Sequence, residues 1–370
     1  MTNVEKKRLG DLVNFKRGYD LPAQSREAGS YPVLSSSGIS GYHSKYKAEG
    51  EGIVTGRYGT LGKMYYVNEK YWPHNTALYV TSFKGNHPKY IYYLLKCLGR
   101  IRTSDKSAVP GVNRNELHEM VVPCVDNKNQ QVKIATVLST LDAKIELNNR
   151  INTKLEAMAK TLYDYWFVQF DFPDKNGKPY KSSGGKMAYN EILKQEIPKG
   201  WKDFSIPDLL TIKTGKEDAN FATENGKYPF FSCADKPLSC NFPVFKGKAI
   251  LLAGNGNFGI QRFDGEFNAY QRTYVLIPDR DEYYTNIYYV VKDKVKTLTN
   301  SSRGSIIKFI TKGDIEDIIM PLPVTDGQEL FQILNTISKK ISTKAIENQQ
   351  LTQLRDWLLP MLMNSQVTVK

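Results

Sequence analysis

The sequence predicts an α+β protein: two mixed α/β globules in a pseudo-twofold tandem repeat, separated by two long helices pairing as an antiparallel coiled coil. Three observations predict it. Residues of the first half recur in the second at a nearly constant offset, and each repeat ends in an apolar stripe at heptad spacing. A chain of 370 residues, 41% hydrophobic and 24% charged, also has the length and composition for two globular cores.

The offset is the strongest of the three, because a repeat settles the architecture before any motif does. Adding 197 carries Asp11-Leu12 to Asp208-Leu209, Lys16 to Lys213, Gly18 to Gly215, Tyr31-Pro32 to Tyr228-Pro229 and Ser35 to Ser232. Ile53, Gly59 and Gly62 land on Ile250, Gly256 and Gly259. The offset slips to 196 between Ile91-Tyr92-Tyr93 and Ile287-Tyr288-Tyr289, and to 198 between Pro123 and Pro321, as loop insertions would make it. Glycines and aromatics carry the match while the polar residues between them differ. The copies therefore share a fold and present different surfaces.

The first part of each copy, residues 1–127 and 201–324, is rich in Gly, Tyr and Phe. Gly52-Ile53-Val54 and residues 249–253 read as strands, with Gly/Asn/Ser clusters as turns. Residues 90–98 and 287–291 read as short helices. The second part is a long helix, in residues 128–170 and again in 325–370. Ile134, Leu138, Leu141, Ile145, Asn148, Asn152, Leu155, Ala159, Leu162 and Trp166 step alternately by four and three, a heptad seam. The same stripe recurs as Leu330, Leu334, Ile337, Ile341, Lys344, Asn348, Leu351, Arg355, Leu358 and Leu362. Asp126 or Asn127 can cap the first helix, Thr325-Asp326-Gly327 precedes the second, and Pro360 is expected to interrupt its end. Unpartnered seams would expose their leucines, so the helices are expected to pair with each other. Their polar middles, Asn148 and Asn152 against Lys344 and Asn348, would then set register. Residues 171–200, with Pro173, Pro179 and Ser182-Ser183-Gly184-Gly185, read as a linker.

Composition excludes several classes. The longest apolar runs, such as Ala249-Ile250-Leu251-Leu252-Ala253, fall far short of the ~20 residues a membrane span needs. The first eight residues lack the apolar core of a signal peptide, so a cytoplasmic protein is expected. Cys97, Cys124, Cys233 and Cys240 include no C-x-x-C pair, and the four histidines are scattered, so buried reduced thiols and no metal site are expected. A net charge of +13 points weakly to a polyanion.

Catalytic motifs are missing. Gly254-Asn255-Gly256-Asn257-Phe258-Gly259 satisfies G-x-G-x-x-G, but the next residues, Ile260-Gln261-Arg262-Phe263-Asp264-Gly265, alternate like a strand that then turns into a hairpin. A dinucleotide site needs a helix N-terminus there. Gly62-Lys63-Met64 lacks the spaced glycine and the Ser/Thr of a phosphate loop, and no Asn-Pro-Pro-Tyr or Asp-Pro-Pro-Tyr is present. No catalytic residue is assigned. What remains are polar and basic side chains in duplicated glycine-rich loops: Arg57, Tyr58, Thr60, Lys63 and Asn75, with Arg102 and Lys106, in the first copy. The second holds Asn255, Asn257, Gln271 and Arg272, with Arg303 and Lys308. Arg, Asn and Gln read base edges bidentately, and Lys and Ser suit phosphates, so these thirteen are the candidate DNA contacts.

At these residues the chain resembles the DNA-specificity subunit of type I restriction–modification enzymes over essentially its full length. The resemblance rests on Leu9-Gly10-Asp11-Leu12, Asp208-Leu209-Leu210, the 56–62 loop, Gln130-Gln131, and Ile134-Ala135-Thr136-Val137-Leu138-Ser139. Leu141-Asp142-Ala143-Lys144-Ile145 and the exit from Trp166-Phe167-Val168 into Phe170-Asp171-Phe172-Pro173 are the most specific features. The second helix departs mildly, with Ile337-Ser338-Lys339-Lys340-Ile341. The resemblance implies two target-recognition domains, each reading half of a bipartite, asymmetric DNA site. It implies paired helices, through Ile134, Leu138, Leu141, Ile145, Leu155, Leu162, Leu334, Ile337, Ile341, Leu351 and Leu358, that set the spacer and dock two methyltransferase subunits. The chain itself would carry no cofactor. S-adenosylmethionine would bind the methyltransferase subunits, and ATP and Mg a motor-nuclease subunit. Residues 130–167 as a helix would make a rod of roughly 55 Å, enough for successive major grooves about 34–36 Å apart. Two other readings remain open at this point, a nucleotide-dependent enzyme using the 254–259 loop and a basic coiled-coil scaffold.

Overall fold

The computed structural model describes residues 4–57, 62–98, 112–301, 309–324 and 327–369. The chain divides into two units, residues 1–149 with 346–370, and residues 150–345. Each unit is one globule together with the stretches of both long helices that pack on it.

In the first unit, Val4–Arg8 pairs antiparallel with Val121–Val125 and ties together the two ends of the globule. A four-stranded sheet runs in the order Asn14–Arg17, Ala77–Ser82, Gly52–Gly56, Met64–Val67. A three-stranded sheet holds Gly38–His43, Tyr31–Ser35 and Trp72–Pro73. Every residue of Gly52–Gly56 is buried, which is why its apolar residues run consecutively rather than alternate. Helix Pro88–Cys97 begins on the proline that presets its first turn and buries Tyr90, Ile91, Tyr93, Leu94 and Leu95.

The second unit repeats this plan. Trp201–Ser205 pairs with Ile319–Pro323, and helix Tyr284–Ser301 replaces Pro88–Cys97. That helix is 18 residues long, well beyond the 287–291 expected, because apolar residues continue on one face as far as Val295. One difference is architectural. Ile260–Ala269 runs straight through Gly265, where a hairpin turn was expected, and serves as two strands at once. It pairs with Phe245–Ala253 along most of its length, and its last residues lie parallel to Tyr228–Phe231. The two sheets of the first globule thereby become one six-stranded sheet in the second. Gly18 and Gly215 show why glycines carry the repeat: a Cβ there would stand 2.1 Å from the His74 carbonyl oxygen and 2.0 Å from that of Ala269.

The long helices are Lys128–Tyr163 and Gln328–Met363, 36 residues each. Asn127 caps the first, its Oδ1 accepting the Gln130 N–H at 3.1 Å. Thr325 and Asp326 lie outside the described residues. No residue of either predicted seam is exposed. In the first unit Ile134 and Leu138 join Leu359, Leu362 and Met363 in the globule's core. Farther along, Arg355 Nη1 donates to Asp142 Oδ1 at 2.7 Å, and Asn148 Nδ2 donates to Asn348 Oδ1 at 2.9 Å. Numbers rise along one helix as they fall along the other, so the pair is antiparallel. In the second unit Leu155, Ala159 and Leu162 pack with Leu330, Leu334, Ile337 and Ile341, and Asn152 Nδ2 donates to the Ile341 carbonyl at 3.2 Å.

Three local features differ from expectation. Pro360 does not stop the second helix, which continues to Met363 because Leu359, Leu362 and Met363 are buried and that packing offsets the missing backbone bond. The first helix widens after Tyr163 into a π turn, Asp164–Val168, which turns Trp166 and Phe167 into the core. Residues 171–200 are folded rather than loose. Asp171 accepts from the Ser182 backbone N–H at 2.7 Å, Phe172 stacks between Tyr180 and Trp201, and Met187–Asn190 pairs with Gln195–Pro198. All four cysteines are free, Cys124 and Cys240 buried but Cys97 and Cys233 only partly so. Among the described residues no helix is long and apolar enough to cross a membrane.

Candidate nucleic-acid interface

Matched backbone bonds tie Arg57 to the turn at 74–76 and Gly254 to the turn at 270–272. Arg57 N–H donates to the Thr76 carbonyl at 2.9 Å, and Gly254 N–H to that of Arg272 at 2.8 Å. Val112 N–H donates to the Arg57 carbonyl at 2.9 Å, and Ile310 N–H to that of Gly254 at 2.8 Å. His74 and Tyr270 N–H groups bond the carbonyls of Leu34 and Phe231, each at 2.8 Å. These are matched positions of the repeat. One scaffold thus offers Arg57, Asn75 and Thr76 in the first copy, and Gly254, Gln271 and Arg272 in the second.

In the second globule these side chains line an open cleft of about 610 Å³. Its walls are Asn255, Gln271, Arg272, Thr214 and Lys312, with Tyr274 and Phe309 supplying aromatic surface. Gln271 and Arg272 are exposed, and Phe309 is 62% exposed. Asn255 Oδ1 accepts from the Cys233 thiol at 2.7 Å. Asn257 is committed to the turn itself: its Oδ1 accepts the Gly259 N–H at 3.0 Å and its amide donates to Asp235. It shapes the loop.

In the first globule Lys63 is exposed, and its carbonyl accepts from the Thr55 hydroxyl at 2.9 Å. Asn75 donates its amide to Asp20. Beside this turn Lys47 Nζ lies 5.5 Å from the ring centre of Tyr19 and 5.4 Å from that of Trp72. Lys16 donates to the Tyr19 hydroxyl at 3.3 Å. The hydrogen bond with Tyr79, and then that with Lys16, hold the Tyr19 phenol below its ordinary range. A shallow cleft of about 370 Å³ lined by Tyr31, Ser44, Lys45, Tyr46, Lys47 and Trp72 adjoins it. Burial, reinforced by the charge of Arg26, lowers His74 from the ordinary imidazole value, so it stands neutral at pH 7.

Tyr58, Thr60, Arg102, Lys106, Arg303 and Lys308 lie outside the described residues. Sequence reasoning did not single out the amide partners Asp20 and Asp218, the latter accepting from Gln271 at 2.9 Å, nor the cleft-lining Thr214, Lys312, Lys45 and Lys47. The interleaved run Lys45-Tyr46-Lys47 was the available signal for two of them, basic and aromatic side chains together being a nucleic-acid pattern. The 254–259 loop leads into the strand Ile260–Ala269. No helix N-terminus stands there to receive a pyrophosphate, and the dinucleotide reading fails on geometry. Among the described residues no group of three or more His, Cys, Asp or Glu could hold a metal ion.

Two repeated globules with different polar side chains on one loop scaffold, each joined to a seam helix, define a class of duplicated recognition proteins. Residues 1–157 and 198–354 match the family model described as the type I restriction modification DNA specificity domain, and the chain belongs to that family. Among its relatives is the type I restriction enzyme EcoDI specificity subunit of Escherichia coli, 38% identical over 47% of this chain and 40% of that protein. Another is the MjaIX specificity subunit of Methanocaldococcus jannaschii, 26% identical over 76% of this chain and 69% of the relative. The chain thus spans less than half of the first and about two thirds of the second. The fold matches that of a type-I restriction-modification system S subunit from M. genitalium with a TM-score of 0.64, over 98% of this chain and 96% of that one at 18% identity.

Proposed function

We propose that the chain is the non-catalytic, sequence-reading subunit of a type I restriction–modification complex, each globule reading one half of a bipartite, asymmetric DNA site. The observation that carries this is the turn at 74–76 and 270–272. Identical backbone bonds hold it in both copies, yet it presents Asn75 and Thr76 in one and Gln271 and Arg272 in the other. One frame with different donors and acceptors is what reading two unlike half-sites requires. Arg57, Lys63, Asn75, Asn255, Gln271 and Arg272 are the proposed contacts, with Lys45, Lys47, Thr214 and Lys312 beside them.

The paired helices supply the spacer and dock two methyltransferase subunits; a motor-nuclease subunit completes the complex. S-adenosylmethionine, ATP and Mg belong to those partners. Co-expression with the cognate methyltransferase subunit, followed by mapping of adenine methylation, tests the reading. Methylation at one split, non-palindromic motif is expected; methylation that is absent or without a motif refutes it.

A further inference from the structure

Each globule sits on its stretch of the helix pair through a large apolar contact, in the first unit Leu138 and Leu359 against the core and in the second Leu155 and Leu334. Apolar contact is non-directional and does not by itself hold an angle. Each unit adds a directional contact. In the first, Tyr93 donates its hydroxyl to Asp142 Oδ2 at 2.7 Å while Arg355 Nη1 donates to Oδ1 at 2.7 Å. In the second, Tyr289 donates to Glu156 Oε2 at 3.2 Å while Arg262 Nη2 donates to Oε1 at 2.5 Å. Arg262 also donates to Ser338 Oγ at 3.0 Å, and its guanidinium lies 4.2 Å from the Tyr288 ring centre. One guanidinium therefore touches the globule and both long helices.

Two facts separate these clasps from incidental surface pairs. Their donors are sheltered, the Arg262 and Arg355 side chains being 9% and 17% exposed and Tyr93 and Tyr289 2% and 1%, while the carboxylates of Glu156 and Asp142 are 37% and 29% exposed. They share parts but differ in one: Arg355 stands on the second long helix, so only Tyr93 ties the first globule to the pair, whereas Arg262 and Tyr289 both belong to the second globule. Tyr93 and Tyr289 are the same position of the repeat, and both carboxylates stand on the first long helix, two heptads apart and so on one face. Partly desolvated pairs such as these return little net stability, and apolar side chains of similar size would hold the globule as firmly. Hydrogen bonds to a carboxylate instead add a defined direction, one from the first globule through Tyr93 and two from the second through Arg262 and Tyr289.

We propose that Tyr93–Asp142–Arg355 and Arg262–Glu156–Tyr289 are positioning residues that fix the angle of each globule on its helices and thereby restrict the complex to one spacer length between half-sites. The proposal rests on the bipartite reading above. Glu156→Gln and Asp142→Asn keep shape and remove the charge, and neither touches the recognition loops. In the full complex with its methyltransferase subunit, the methylated half-site words are expected to stay as in the parent. Methylation at sites whose spacer is one base pair longer or shorter is expected to rise about tenfold, as loss of one charged contact's preference would give. Simple destabilisation would lower methylation everywhere and leave that ratio unmoved. If E156Q does not accumulate, Tyr289→Phe, which removes one hydroxyl, is expected to broaden the spacer by the same route. Unbroadened spacers in the variants that accumulate, or altered half-site words, overturn the proposal. A parent chain that directs no split-motif methylation overturns the bipartite reading instead.

Discussion

Asn75 and Gln271 stand at one turn of the two copies, and each gives its amide to an aspartate of the neighbouring loop, Asp20 for Asn75 and Asp218 at 2.9 Å for Gln271. Asn75 Oδ1 is itself buried without a partner among the described residues, whereas Gln271 is exposed; under the proposed function Asp218 sets the orientation of the Gln271 amide before DNA arrives. Gln271→Ala is expected to relax one base of the second half-site by about 1–3 kcal/mol of discrimination, with the first half-site unchanged. Asp218→Ala is expected to relax the same base more weakly, because the amide survives but turns freely. Methylation motifs of the two complexes check both, and a change in the first half-site would contradict them. A second residue effect concerns stability. His118 Nε2 accepts the Phe15 N–H at 2.9 Å, and burial, helped by the charges of Arg114 and Lys84, holds its pKa below the ordinary imidazole value. The unfolded chain therefore takes up this proton more readily than the folded one. The contribution of His118 is complete above about pH 6.5 and is lost as pH falls through the lower folded value. The unfolding midpoint is expected to drop as pH falls below about 6.5, and His118→Gln to flatten that drop in calorimetry across a pH series.

At the scale of elements, the helix pair combines stability with specificity. Asn148 is fully buried, bonded through Nδ2 to Asn348, while its Oδ1 has no hydrogen-bond partner. A buried amide in a seam lowers stability and selects one register. Replacing Asn148 and Asn348 together by Leu is expected to raise the denaturation midpoint and to produce oligomers absent from the parent, seen by light scattering; an unchanged oligomeric state would deny the register role, and a lower midpoint the stability cost. Pro360→Ala is expected to stabilise the second helix by up to about 3 kcal/mol, since alanine restores a backbone donor within a stretch that is already helical. The seams were legible because a long heptad needs only local spacing, and every seam residue predicted is at least half-buried. The helix 284–301, the unbroken strand 260–269 and the folded 171–200 segment were not. Each depends on tertiary packing, such as Phe172 against Trp201, that no local pattern records. In the site, the loops could be found by duplication, whereas Asp20 and Asp218 could not, because their role exists only across a turn some fifty residues away in sequence.

At the scale of the whole molecule, charge is distributed unequally. Residues 1–127 hold 18 Lys and Arg against 11 Asp and Glu, while residues 201–324 hold 16 against 15. Under the proposed function the first globule grips phosphate with a net field, and the second relies on cations placed where they are needed, Arg272 and Lys312 in its cleft. Affinity of the assembled complex for DNA should then fall linearly in log–log with salt, by about 0.9 per phosphate neutralised. Lys45→Gln with Lys47→Gln should cut that slope by nearly two and weaken all sequences alike, because point charges on phosphate carry no base information. Gln271→Ala should leave the slope unchanged while altering one base. Titrations at several salt concentrations separate the two behaviours. If the lysine pair changed the motif and kept the slope, Lys45 and Lys47 would be base contacts rather than phosphate contacts.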